Sequence, residues 1–191
     1  IDQQYSDFKI LEIGCGSGII SIALAKELNN KKIEYILTDI SEKALKVSLK
    51  NIEQLNKNKN TFHFIKTNLG NGIKGTYKFI ISNPPYLSKK QMGHLSSELQ
   101  SEPRNALYGG ENGYELSLEL LLETKQKQIK FEYIILEINS ETYLEFFNQV
   151  NIIFKKQNIY LIKDYTKNYR FIIVSTKNID NKLNEYCYLR N

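Results

Sequence analysis

Short runs rich in Ile, Phe, Tyr and Thr alternate along this chain with longer segments whose apolar residues recur at helical spacing. That alternation of two periods narrows the fold more than any other feature, because strand and helix repeats cannot substitute for one another. The strand-like runs are 8–13, 33–39, 61–66, 77–82, 131–138, 159–164 and 169–176. Helix-patterned segments at 19–28, 115–129 and 142–154 lie between them, with another opening at Ser41-Glu42-Lys43-Ala44. Ser41 is a credible N-cap for that helix, and Leu45, Leu49, Ile52 and Leu55 form its apolar face. Strand–helix alternation predicts an α/β fold, a mostly parallel sheet with helices on both faces. The last two runs break the pattern, since only residues 165–168 separate them, and a link that short joins an antiparallel hairpin. The expected architecture is a Rossmann-like, mostly parallel seven-stranded sheet ending in an antiparallel hairpin. Residues 1–176 are expected to form the domain and 177–191 a C-terminal tail or linker. Residues 87–113 are polar, glycine-containing and without regular pattern, and loops of that length in compact domains are commonly functional.

Leu11-Glu12-Ile13 closes the first run, and Gly14-Cys15-Gly16-Ser17-Gly18 leads from it into a helix. Glycine lets the backbone take positive φ and approach a ligand closely, and the helix beyond presents free N–H groups. A dinucleotide-binding turn needs G-x-G-x-x-G, with its last glycine where Ile19 stands. The tighter G-x-G-x-G spacing suits the aminocarboxypropyl arm of S-adenosylmethionine instead. Cys15 sits where the turn needs a small residue. Asp39 closes the second run, where a carboxylate can accept hydrogen bonds from both ribose hydroxyls. Glu12, just before the turn, can brace the loop's N–H groups or the cofactor ammonium. Asn68 and Leu69 follow the third run, where they can bond an adenine amino group and pack on its ring. For that pair an ordinary turn is a competing reading.

Asn83-Pro84-Pro85-Tyr86 follows the fourth run directly. An amide nitrogen is a poor nucleophile, so methylating it requires acceptors that bind its hydrogens, aim its lone pair and stabilise developing charge. Asn83 offers a side-chain carbonyl and Pro84 a main-chain one. The two prolines restrict the backbone and stiffen this platform, and Tyr86 can stack on a planar amide or base. Alone the motif reads as a rigid turn. At a strand's carboxyl end, downstream of the glycine turn, it reads as a site for methyl transfer to a planar –NH2 group, because ligands of open α/β sheets bind there. The catalytic candidates are Asn83, Pro84, Pro85 and Tyr86. The cofactor candidates are Glu12, Gly14, Cys15, Gly16, Ser17, Gly18, Asp39, Asn68, Leu69 and Asn83.

Composition bounds the partners. The 191 residues suffice to bury a core, with 41% hydrophobic and 25% charged residues and a net charge of +5. The lysines are scattered in isolated pairs such as Lys31-Lys32 and Lys89-Lys90, a solvated surface rather than a nucleic-acid stripe. No apolar run approaches the ~20 residues of a membrane span, so no membrane partner is expected. Cys15 and Cys187 make neither a disulfide framework nor a zinc site. A reducing cytoplasm and no metal are expected. His63 and His94 lack partners at catalytic spacing and are expected in surface or core roles. The chain does not open with Met and is expected to be an excerpt or processed product.

Gly14–Gly18, Asp39 and Asn83-Pro84-Pro85-Tyr86 together resemble the HemK family of protein-(glutamine-N5) methyltransferases. Glu102-Pro103, Ala106-Leu107, Gly109-Gly110 and Gly113 strengthen the likeness, as do Ile162-Lys163-Asp164 and Tyr169-Arg170. The Asn-Pro-Pro-Tyr motif is shared with methyltransferases acting on nucleic-acid bases, so the 102–113 block is the more specific signal. The resemblance implies S-adenosylmethionine as cofactor, S-adenosylhomocysteine as product, and the Gln of a Gly-Gly-Gln loop in peptide chain release factors as substrate. It also implies that Asn83 and Pro84 hold the amide, that Tyr86 packs on it, and that Leu69 and Asn83 line the cofactor pocket. The chain departs from the family in carrying Asn68 where Asp is common and in beginning close to the first strand, where relatives have a helical domain. The competing readings are N-methylation of an exocyclic amine, adenine N6 or guanine N2, on a flipped base, and a non-catalytic binding module that keeps the fold.

Overall fold

The computed structural model describes residues 7–29, 31–55, 60–97, 99–127, 129–178 and 187–189. The chain divides into two compact units, residues 1–82 with 127–131, and 83–126 with 132–191.

The first unit holds β1 (Phe8–Ile13), α1 (Ile19–Glu27), β2 (Ile33–Asp39), α2 (Glu42–Leu55), β3 (Thr61–Lys66) and β4 (Thr76–Ser82). Its strands are parallel, in the order β4-β1-β2-β3. β1 is central, and Ile10, Leu11, Glu12 and Ile13 are all buried, the signature of a parallel strand covered on both faces. Ile10, Ile33, Tyr35 and Leu37 form a core with Ile22 and Ala25 of α1 and Leu45 and Ile52 of α2. Tyr35 stacks on Phe62 with ring centroids 4.7 Å apart and planes 7° from parallel, a pair worth roughly 1 kcal/mol beyond area burial. The expected N-cap forms: Ser41 Oγ accepts from the Ala44 amide at 3.2 Å.

Register fixes what gathers at the carboxyl edge of this unit. Ile13 lies opposite both Thr38 and Ser82, and Asp39 opposite Lys66. The chain runs outward from β1 to β2 and β3, then returns to the other side of β1 as β4. The gap between β1 and β4 is therefore a topological switch point, where open α/β sheets bind ligands. Ser82 Oγ donates to the Ile13 carbonyl at 2.6 Å across it.

The second unit holds β5 (Leu87–Ser88), α3 (Lys89–Met92), β6 (Tyr108–Gly110), α4 (Glu115–Gln126), β7 (Lys130–Glu137) from Glu132 onward, α5 (Tyr143–Ile153), β8 (Asn158–Lys163), β9 (Tyr169–Ser175) and β10 (Cys187–Leu189). β8 and β9 form the expected hairpin, and β9 also pairs antiparallel with β7. Asp164 shapes its turn, its Oδ1 accepting from the Thr166 amide and hydroxyl and the Asn168 amide at 2.9, 2.6 and 3.1 Å. Cys187–Leu189, within the stretch expected as a tail, pairs antiparallel with β8. Residues 87–113, expected without regular structure, are built from short pieces: β5 pairs with β6, a capping box of Ser88 and Gln91 starts α3, and 3-10 turns follow at Leu99–Ser101 and Arg104–Ala106. Elements of two to four residues are too short to show a hydrophobic period. Among the described residues no helix is long and apolar enough to cross a membrane.

Candidate functional site

Every glycine of the turn after β1 is left-handed, with φ of 69° at Gly14, 54° at Gly16 and 77° at Gly18. The turn closes through the Gly18 amide on the Cys15 carbonyl at 2.8 Å, and the Cys15 amide reaches the Thr38 carbonyl at 2.9 Å. A Cβ at Gly14 or Gly16 would meet nothing within 4 Å, whereas one at Gly18 would lie 2.4 Å from Ser48 Oγ. Gly18 thus serves the packing of α1 on α2, and the open side of the turn belongs to Gly14 and Gly16. Asn51 Nδ2 donates to the Ser17 carbonyl at 2.9 Å.

Asp39 holds this turn. Its Oδ2 accepts from the Gly16 amide at 2.9 Å and its Oδ1 from the Ser41 amide at 2.8 Å. A carboxylate has about four acceptor positions, so two remain for hydroxyl donors. Glu12 is 2% exposed. It braces the first turn of α1 rather than the glycine loop: Ser21 donates to its Oε2 from both the hydroxyl and the amide, the amide at 3.2 Å. Burial, against the pull of the Ser21 bonds and helped by the Asp39 charge, pushes its carboxyl up to about 7. Burial and the Glu12 and Asp39 charges push the Cys15 thiol up to about 12, so Cys15 is a packed small residue and no nucleophile. Asn68 and Leu69 lie in the link from β3 to β4, with Asn68 exposed and Leu69 half-buried. Leu69 has φ 48°, a left-handed conformation that costs a non-glycine residue about 1–2 kcal/mol.

The second unit contains Asn83-Pro84-Pro85-Tyr86. Asn83 is exposed, Pro84 is buried, and Pro85 and Tyr86 are half-buried. The glycines of the 102–113 block pack on this motif's backbone. A Cβ at Gly109 would lie 2.4 Å from the Pro85 carbonyl oxygen and 2.8 Å from Tyr86 Cα, and one at Gly113 would lie 2.5 Å from the Tyr86 carbonyl oxygen. The Leu87 amide donates to the Leu107 carbonyl at 2.9 Å. Glu115 secures the far end, accepting from the Asn112, Gly113 and Tyr114 amides at 3.0, 3.1 and 3.2 Å.

Tyr86 is gripped from β7 and the residues after it. Its hydroxyl donates to Glu137 Oε1 at 3.0 Å. Burial and the Glu137 charge raise its pKa, with Arg170 pulling the other way. Arg170 is itself held by Asp164 at 3.2 Å. Asn139 Nδ2 donates to the Tyr86 carbonyl at 2.8 Å. Sequence reasoning missed Ser21, Glu137 and Asn139; the available signal for Glu137 and Asn139 was polar residues at the carboxyl end of an apolar run, and for Ser21 a polar residue inside the apolar helix α1. His63 lies 3.3 Å from Glu34 on the exposed strand β3, His94 is exposed, and Glu102 is exposed beside a 3-10 turn. Among the described residues no group of three or more His, Cys, Asp and Glu is placed to hold a metal ion.

A parallel sheet with a glycine turn at its switch point defines the class. The fold matches the crystal structure of a methyltransferase from Pyrococcus furiosus with a TM-score of 0.62 at 20% identity, over 91% of this chain and 77% of that one. The expected Rossmann-like class I methyltransferase fold is the fold observed. Residues 1–114 match the methyltransferase small domain family, and the chain belongs to it. A release factor glutamine methyltransferase from Borreliella burgdorferi is 38% identical over 71% of this chain and 46% of its own length. A ribosomal protein uL3 glutamine methyltransferase from Neisseria gonorrhoeae is 35% identical over 59% of this chain and 36% of its own. The chain thus spans about half or less of the length of these relatives.

Proposed function

We propose that this chain carries the catalytic domain of an S-adenosylmethionine-dependent enzyme that methylates the N5 nitrogen of a glutamine side chain, in the Gly-Gly-Gln loop of a peptide chain release factor. The carrying observation is the seating of Gly109 and Gly113 on the backbone of Pro85 and Tyr86. It makes the Asn-Pro-Pro-Tyr platform and the block most specific to glutamine methyltransferases one built piece. The names of the similar proteins support a glutamine substrate, and the release factor is named for the relative with the higher identity.

The residues present fit the cofactor. The open face at Gly14 and Gly16 admits a chain passing close to the backbone. Asp39 keeps acceptor positions for ribose hydroxyls while it holds Gly16, and Glu12 is a buried acid suited to an ammonium partner. Leu69 offers a half-buried apolar surface for an adenine ring. S-adenosylmethionine, when bound, supplies an electrophilic methyl group.

The protein's own part is positioning. Asn83 follows Ser82, whose register partner Ile13 precedes the glycine turn. In this reading the Asn83 side-chain carbonyl and the Pro84 main-chain carbonyl accept the two hydrogens of the substrate amide. They aim its lone pair at the methyl group and stabilise the charge that develops on nitrogen. Tyr86, its ring fixed by Glu137, packs on the flat carboxamide. No strong base is required, since the proton leaves after transfer.

The test is incubation of a release factor, protein uL3, RNA and DNA in separate reactions with the protein and S-adenosylmethionine, read by mass spectrometry. One added methyl on the loop glutamine is the expected result. Methylation of uL3 alone would move the substrate, and methylation of a base would replace this reading with the nucleic-acid one.

A further inference from the structure

Asn139 follows β7, is 6% exposed, and has its polar positions committed inside the second unit. Nδ2 donates to the Tyr86 carbonyl at 2.8 Å and to Gln91 Oε1 at 2.7 Å, and Oδ1 accepts from the Glu141 amide at 2.9 Å. Gln91 Oε1 also accepts from the Ser88 amide and hydroxyl at 3.0 and 3.2 Å. One buried amide therefore ties the last residue of the Asn-Pro-Pro-Tyr motif to the capping box that starts α3. The Tyr86 carbonyl it holds is also the atom on which Gly113 is seated. Two residues earlier, Glu137 holds the Tyr86 hydroxyl, so Tyr86 is fixed at its main chain and at its ring tip from one short stretch.

We infer that Asn139 is a positioning residue for methyl transfer: it sets the distance between the proline-tyrosine ledge and α3, and so the slot the substrate carboxamide enters. Both Nδ2 hydrogens are used, so it has no donor left for substrate, and its effect runs through Tyr86. The inference rests on the glutamine-methyltransferase reading for its kinetic consequence, but not for its structural one. A ledge displaced by about 1 Å loses on the order of 100-fold in rate without losing bound cofactor.

The discriminating variant is Asn139→Asp, which keeps shape, removes both donors and sets a carboxylate against two acceptor oxygens. Its kcat on release factor should fall about 10- to 100-fold, with cofactor affinity within about twofold of wild type because the glycine turn is untouched. Gln91→Glu keeps every acceptor contact Gln91 makes and should stay within about threefold of wild type, whereas Gln91→Leu should follow Asn139→Asp. Hydrogen exchange of the Leu87 and Ser88 amides gives an activity-independent readout. It should quicken in Asn139→Asp and Gln91→Leu and not in Gln91→Glu. If wild-type protein methylates no glutamine, the functional reading fails while hydrogen exchange still decides the role of Asn139. Wild-type kcat together with wild-type exchange in Asn139→Asp overturns the inference, and so does a loss of cofactor affinity as large as the loss of kcat.

Discussion

The Asp39 carboxylate accepts the Gly16 amide at 2.9 Å, so the acid at the end of β2 is a structural brace for the turn after β1. Its other oxygen starts the segment into α2 through the Ser41 amide at 2.8 Å. Asp39→Ala removes two charge-assisted bonds at once, and each is worth about 1.5–3 kcal/mol where both partners are desolvated, less where water replaces them. The variant should lose roughly 1–3 kcal/mol of stability in urea titration and bind S-adenosylmethionine at least about tenfold more weakly by calorimetry. Unchanged affinity with lowered stability would leave Asp39 as a brace only.

Glu12 predicts a pH dependence opposite to that of a surface carboxylate. Its folded-state pKa is raised by burial from 4.5 to about 7. Between those values the native state holds a proton the unfolded chain has lost, so stability falls as pH rises. The contribution is full below about pH 4.5, declines through about 7 and is level above that. Glu12→Gln, which keeps an acceptor for Ser21, should flatten this part of the stability profile and be the more stable protein at pH 8. Identical profiles for the two proteins between pH 5 and 8 would show that Glu12 is ionised throughout.

The same carboxyl gives a signature of cofactor binding. If an ammonium pairs with Glu12, binding favours its ionised form and releases a proton in the range where the free protein holds one. Calorimetry near pH 6 in buffers of different ionisation enthalpy should show net proton release approaching one, vanishing in Glu12→Gln. Proton uptake, or no exchange, would place the ammonium elsewhere.

Gly109→Ala tests the platform without touching the glycine turn. Its Cβ would fall 2.4 Å from the Pro85 carbonyl oxygen and 2.6 Å from the Gly113 carbonyl oxygen, and both obstacles are backbone. Relief requires the two segments to part, so methyl transfer should drop at least about 100-fold with cofactor affinity kept. Wild-type turnover would mean that the contact does not shape the reacting site.

Asn83→Ala removes the proposed side-chain acceptor for the substrate amide. The side chain is exposed, so stability should change by less than about 0.5 kcal/mol, while kcat falls on the order of 100-fold or more, the loss typical of a removed transition-state hydrogen bond. Near-normal single-turnover rates would refute the role.

Strands 8–13, 33–39 and 61–66 were legible in the sequence to the residue, because long apolar runs of one period, bounded by turn residues, leave little choice of conformation. The same local logic marked the three left-handed glycines, the Ser41 cap, and the proline-stiffened motif after β4. What Glu12 touches was not legible: the sequence suited it to the glycine loop or an ammonium, and its partner is Ser21, in the first turn of α1. Nor were the pieces inside 87–113, since a two-residue strand exists only through the strand it pairs with. Chain order alone thus determined the alternating layers and which residue types stand at the strand ends, because those follow from periodicity and backbone sterics. Only the tertiary structure decided that Asp39 braces Gly16, that Gly109 sits on Pro85, and that Glu137 and Asn139 hold Tyr86. Those contacts join residues 23 to 53 positions apart, and such partners are chosen by register and packing, which no local pattern encodes.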